Sequence, residues 1–267
     1  MYQSFAKSLV ASALCISSLV ALAQDAAIPR HLQLAREFVT NTKQENNSYS
    51  NRNIYTRMPG DLFASEYVVA TDCGGFVEDM FRRTNSGVLE QLKTKKFKTR
   101  FSIFDWHPSI EKQEAFTRIL KVTDIKPGDV AAWLYTEKVT HTLPGHILFI
   151  DSPPVKLEKP RKPVVEGLDQ YEVTIIDTSQ EAKSRDDTRY VSDAALRDEN
   201  EAKGKQRGSV ASPNYKGVGR GHIRFYADAA GDIKGIAFSF DKAKFHGLDD
   251  WNIVVGRPRL VAIGAKP

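Results

Sequence analysis

The chain has 267 residues, 41% of them hydrophobic and 27% charged, with a formal net charge of +5. That composition allows one generous domain with a real hydrophobic core. The modest charge, without any nucleic-acid motif, argues against nucleic acid as the partner.

The N-terminus carries Lys7, an apolar stretch from Leu9 to Leu22, and Ala21-Leu22-Ala23 ahead of Gln24. A basic start, a short apolar core and an A-x-A site make up a secretory signal. The expectation is a signal peptide over 1–23 and one mature domain over 24–267, exported to the periplasm or the extracellular space. The apolar core is too short and too rich in Ser and Ala for a membrane span. With no second apolar run in the sequence, no integral membrane segment is expected after cleavage. Cys15 follows Leu14 rather than a small residue, so lipoprotein processing is not expected. Lys7 is the one charged side chain before Gln24, which takes the mature charge to +4.

Pro29 to Val39 reads as a helix with Leu32, Ala35, Phe38 and Val39 on one face, and the polar stretch Asn41 to Asn53 as a loop. Cys73, Phe76, Val77, Met80 and Phe81 recur at helical spacing behind Thr71 and Asp72, which are good N-caps. That helix ends near Arg83, before Asn85-Ser86-Gly87. Ser109 to Val122 is read as a further helix. Strands follow at Val130–Tyr135, His146–Ile150, Tyr171–Ile176, His222–Tyr226, Ile233–Phe240 and Asn252–Val255. The proline-rich segment Pro153 to Pro163 is expected to hold no regular element, and Gln180 to Gly221 to be a long excursion. Helices first and strands later predict an α+β fold, with helices packed on a mainly antiparallel sheet.

Removal of the signal leaves Cys73 as the mature chain's one cysteine, without a disulfide partner. It is a candidate nucleophile at a helix start, where the unpaired N–H groups and the dipole favour thiolate. The alternative is a small buried hydrophobe. Gly74, lacking a side chain, leaves room for a substrate at this turn. Of His31, His107, His141, His146, His222 and His246, His146 is the best-framed base, because it opens an apolar strand after Pro144-Gly145. His31 sits among solvated positions, and His107 and His246 in loop-like stretches. For a residue to orient the base, Asp177 ends the next strand, whereas Asp151 lies about 17 Å along the strand from His146. Asp177 is the candidate, with turn capping as its structural alternative. Cys73 and His146 are expected within hydrogen-bond reach. No metal or other cofactor is expected, since no Cys/His cluster has ligand spacing. The basic runs Lys93 to Arg100 and Lys156 to Lys162 read as solvated loops, with an anionic polymer as the lesser possibility.

Asp72-Cys73-Gly74-Gly75-Phe76-Val77 resembles the Asp-Cys-Ser-Gly-Phe-Val signature of the NlpC-type cell-wall cysteine peptidases. Ile125-Lys126-Pro127-Gly128-Asp129-Val130 and Gly145-His146-Ile147-Leu148-Phe149-Ile150 are similar to that family's Gly-Asp turn and catalytic histidine strand. The resemblance covers about Asp72 to Ser179. It implies a papain-like fold and a Cys73, His146, Asp177 triad cleaving an amide in peptidoglycan stem peptides. An amidase or acyltransferase on another amide or lipid, or a silent cell-wall-binding module, are the alternatives. It further implies that Asp72, with Tyr55 or Tyr67, holds the free amine of a stem peptide. Gly74 departs from the family's Ser and Asp177 from its usual His, Asn or Gln, while 86–118 and 180–221 exceed a minimal core.

Overall fold

The computed structural model describes residues 28–52, 54–92, 100–136, 144–190, 216–240 and 243–261. The expected signal peptide, His141 and most of the basic run from Lys93 lie outside the described residues.

Helix α1 (Arg30–Asn41) buries His31, Leu32, Ala35 and Phe38, and Pro29 stands at its N-cap. The following Asn-rich stretch is a 3-10 turn and a short strand β1 (Asn47–Ser48) rather than a plain loop. β1 lies parallel to β3 (Val68–Ala70), which pairs antiparallel with β2 (Tyr55–Arg57). Helix α2 (Cys73–Arg83) spans the residues the periodicity indicates. Asp72 Oδ1 accepts the Gly75 N–H at 2.8 Å, which occupies one of the first-turn donors that a helix cannot satisfy itself. Two shorter helices follow, α3 (Val88–Gln91) and α4 (Ile103–Glu111). The helix expected over Ser109 to Val122 is not there. A capping box of Ser102 and Asp105 starts α4 earlier, and Phe116–Ile119 is strand β4 instead. Its apolar ends Phe116 and Ile119 are buried while Thr117 is exposed, a pattern four residues cannot distinguish from a helical one.

The large sheet contains β4, β5 (Val130–Tyr135), β6 (Gly145–Ile150), β7 (Val155–Lys156), β8 (Asp169–Ser179), β9 (Gly217–Ala227), β10 (Ile233–Phe238), β11 (His246–Gly247) and β12 (Trp251–Pro258). Its order is β11-β10-β9-β8-β6-β5-β12-β4, with β7 beside β8. Every pairing in it is antiparallel. The fold is thus α+β with a mostly antiparallel sheet. The two-residue strand β7 is the one regular piece in the proline-rich segment.

Alternation along the strands gives the sheet two buried faces. The helices pack on one face, where Leu32, Phe38, Phe76, Met80, Phe81 and Trp106 meet Ile147, Phe149 and Ile176. The opposite face carries Trp133, Leu148, Ile150, Ile175, Ile223, Phe225 and Trp251. The sheet curls over this second core until its ends meet. The Ile233 N–H donates to Leu120 O at 3.0 Å, and Lys121 bridges Asp232. Each large apolar side chain fully buried in these layers stabilises the fold by about 1.5–3 kcal/mol.

Candidate active site

Cys73 opens α2 and is buried, yet it lines a cleft of about 240 Å³ together with Tyr49, Asp72, Gly74, Arg100, Phe101, Ser102, Ile103, Pro144 and Gly145. The Ile147 and Gly74 backbone N–H groups turn toward its sulfur and favour the thiolate. Burial outweighs them and pushes the thiol up to about 11. The thiolate expected from the helix start is therefore corrected to a resting thiol. Desolvating a sulfur anion costs more here than two amides and a helix terminus return.

The geometry of β6 explains how the thiol reaches it. Ile147 faces Ala132 at a non-hydrogen-bonded position of the ladder, as the flanking Tyr135 N–H to Pro144 O bond (3.0 Å) shows. Its N–H therefore points away from β5. On that side β8 pairs with β6 at Phe149–Ile176 and Ile150–Ile175, so the start of β6 has an open edge. Cys73 takes that edge. His146, one residue earlier, turns to the other face of the sheet, where its ring centroid lies 5.1 Å from that of its cross-strand neighbour Trp133. The two residues converge on the same end of one strand. Among the described residues no hydrogen bond joins the thiol to the imidazole; the Cys73 sulfur faces the Ile147 N–H instead.

His146 does have the expected orienting partner. Its Nε2–H donates to Asp177 Oδ2 at 2.6 Å. Asp177 is buried, and its carboxyl is held well below the usual carboxylate range despite that burial, by Arg189, Lys183 and His146. Burial pulls the His146 imidazole down, against the pull of Asp177. The resting combination is therefore a neutral thiol, a neutral imidazole with its proton on Nε2, and a carboxylate. Asp151, at the far end of β6, is committed elsewhere, to Arg36 and Arg220 at 2.6 Å each.

The substrate residues implied by the resemblance are distributed differently. Asp72 lines the cleft, but its second oxygen pairs with Arg100 while the first caps the helix. Tyr55 lies on the surface beneath the Arg57 guanidinium, 5.0 Å from ring centroid to Cζ. Tyr67 packs edge-on against Phe38 at 5.2 Å. Neither lines the cleft. Tyr49 does, and burial raises its phenol above the usual range, with Cys73 adding to that shift. Ser48-Tyr49-Ser50 has no periodicity to single it out, and Arg100 ends a basic run that reads as a solvated loop. Gly74 lines the cleft, but a Cβ there would lie 3.1 Å from Phe101 O and 3.5 Å from Trp106 Nε1. Close packing of α2 against this loop thus accounts for glycine where the resembled family has serine.

Three of the other described histidines are held by packing and backbone contacts away from the cleft, and His222 pairs with Asp186 at 3.1 Å. His31 is buried rather than solvated, donates to Gly128 O at 2.9 Å and is lowered to about 4 by burial. His107 lies within α4 and donates to Asn252 O at 2.8 Å. His246 lies in β11 and stacks on Trp251 at 3.6 Å. Among the described residues no group of His, Cys, Asp and Glu is placed to hold a metal ion. Among them, too, no helix is long and apolar enough to cross a membrane.

No protein-family profile matches the chain, and no solved structure matches it. The chain is 27% identical over 199 residues to an uncharacterized protein of Acanthamoeba polyphaga mimivirus, a match covering 72% of this chain and 78% of that protein. A relative described only as uncharacterized transfers no activity, so the chemistry rests on the geometry of the site.

Proposed function

We propose that the chain is an exported cysteine hydrolase cleaving an amide bond, with Cys73 as nucleophile, His146 as general base and acid, and Asp177 as orienter. The observation that carries this reading is the His146–Asp177 bond at the very end of β6 where a cleft-lining thiol arrives. With Nε2–H committed to Asp177, Nδ1 is the nitrogen that can accept the thiol proton. The sulfur first exchanges the Ile147 N–H for Nδ1, then attacks the carbonyl carbon as its proton passes to His146. The tetrahedral oxyanion is taken by the Cys73 N–H, a first-turn donor with no acceptor in its own helix. Collapse expels the amine, protonated by His146, and water releases the acyl group by the reverse sequence.

The favoured substrate is a peptidoglycan stem peptide, on the strength of the sequence resemblance around Cys73 and His146. Its free amine would compete with Arg100 for Asp72. Digestion of purified muropeptides by the mature protein, read by mass spectrometry, tests the reading. Amide cleavage abolished by Cys73→Ser supports it. Cleavage that survives Cys73→Ser, or no cleavage of muropeptides or other short peptides, ends it.

A further inference from the structure

We propose that Arg189 is a positioning residue for His146, acting through Asp177, and that Gly219 and Gly221 of β9 form the seat that lets it do so. This rests on the assignment of His146 and Asp177 to one working unit. The Arg189 side chain is buried, and every arm of its guanidinium is engaged. Nη2 donates to the Asp177 carboxylate Oδ1 and to Asp177 O at 2.8 Å. Nη1 donates to Asp187 Oδ2 at 2.8 Å and to Glu181 O, and Nε to Gly217 O at 3.1 Å. The two oxygens of Asp177 thus face opposite partners: Oδ1 is fixed by Arg189 and Oδ2 is aimed at His146 Nε2. Nη2 holds Asp177 Oδ1 and Asp177 O together while Nη1 and Nε anchor the planar fork to Asp187, Glu181 and Gly217. The carboxylate's rotation is thus set against a fixed plane that a single ammonium does not supply.

The strand beneath is shaped for it. Gly219 pairs with Asp177 and Gly221 with Ile175, so both glycines share the face of the sheet that carries the Asp177 side chain. A Cβ at Gly219 would come within 2.6 Å of Arg189 Cγ and Nε, and one at Gly221 within 2.4 Å of Asp187 Oδ2. The alternating glycines let the segment after β8 lie flat on the sheet, bringing Arg189 to the carboxylate. The charged groups facing Asp177 and His146 are Lys183, Asp187 and Arg189 from that segment, with Cys73 and Tyr49 on the cleft side. Lys183 Nζ is 3.8 Å from Asp177 Oδ2 and donates to Ser179 Oγ at 2.8 Å, so it supplies charge but does not aim the carboxylate.

Long-range nitrogen–proton correlation spectra of the mature protein near neutral pH report the His146 tautomer and need no substrate. The wild type is expected to show Nε2–H alone. Arg189→Lys keeps the charge and loses the fork, and Gly219→Ala keeps every charged group but displaces the fork. Both are expected to lose the pure Nε2–H form and give mixed tautomers, with the folded circular dichroism spectrum retained. A wild type carrying its proton on Nδ1 overturns the proposal, and so does a folded Arg189→Lys or Gly219→Ala that keeps Nε2–H alone. If Arg189→Lys does not fold, the wild-type tautomer and Gly219→Ala decide. A protein that cleaves no peptide yet shows the Arg189-dependent tautomer loses the hydrolase reading and keeps this one.

Discussion

His146 Nε2–H and Asp177 Oδ2 are joined at 2.6 Å across two strands that are not yet paired at that level, since the ladder between β6 and β8 begins at Phe149 and Ile176. The bond therefore bridges a splayed end of the sheet, and the thiol of Cys73 enters on the edge left open there. The thiol and the imidazole thus serve opposite faces of the same strand end.

The first expectation concerns the thiol. With Cys73 pushed up to about 11 by burial, its thiolate fraction rises about tenfold per pH unit through neutral and mildly alkaline pH. The rate of alkylation by iodoacetamide should climb steadily from pH 7 to 9.5. A plateau already reached below pH 7 would show a preformed thiolate–imidazolium pair and sink the general-base description.

The second concerns the two aspartates. Asp177 is buried against Arg189 and Lys183, so Asp177→Ala leaves Lys183 without its carboxylate and Arg189 with Asp187 alone. The expected loss is about 3–5 kcal/mol of stability, and alanine is not the informative change. Asp177→Asn keeps the shape and should lower kcat by about two to four orders of magnitude, by admitting the wrong tautomer. Asp151→Ala, which unpairs Arg36 and Arg220, should lower the melting temperature and leave kcat/KM of the folded fraction unchanged. Reversal of these two effects in a combined melting and kinetic assay would exchange the roles of the aspartates.

A third expectation follows from His31. Its folded pKa is lowered to about 4 from an unfolded value of 6.5, so the unfolded chain binds more protons between those values. Stability is then fully present above about pH 6.5 and is lost as pH falls toward about 4, by about 3 kcal/mol in all. His107 and His146 shift in the same direction and add to the slope. The carboxyl of Asp177 acts lower still: its contribution is present above the ordinary carboxylate range and disappears only in stronger acid. Melting temperature against pH should show the first loss, and His31→Phe, flanked by Phe81 and Phe149, should flatten it. An unchanged slope in His31→Phe would refute the assignment.

The fourth concerns Asp72. Asn is as good an N-cap, so Asp72→Asn should leave the melting temperature nearly unchanged. If the carboxylate receives a substrate ammonium, that change should cost about 1.5–3 kcal/mol, read as a fall in kcat/KM for a free-amine peptide but not for its acetylated counterpart. Arg100→Ala releases the carboxylate from its ion pair and should act in the opposite direction. Equal responses of both peptides to both substitutions would remove the amine subsite.

How far the residues alone carry this protein can be seen element by element. The helix of Cys73 was legible because five apolar side chains at helical spacing and an Asp cap are local properties, decided within a few residues. The strand of His146 was legible for the same reason, and the choice of Asp177 over Asp151 followed from strand reach. The α4–β4 boundary was not, because a capping box at Ser102 and sheet pairing at Phe116 compete for a stretch whose apolar pattern suits either.

Charge and contact belonged to the tertiary structure. Whether Cys73 rests as thiol or thiolate depends on how much solvent the whole fold removes from one sulfur, which no local pattern encodes. Tyr49 and Arg100 reach the cleft only because the turns around them are carried there by distant strands and helices. The glycines at 219 and 221 read as loop punctuation until β9 pairs with β8. Only then does their missing side-chain volume become the space that holds Arg189 on Asp177. Local spacing and capping are enough to stand Cys73 at a helix start and His146 and Asp177 on strands. The fold decided their protonation and their partners, because desolvation and ion pairing are set by neighbours far apart in the chain.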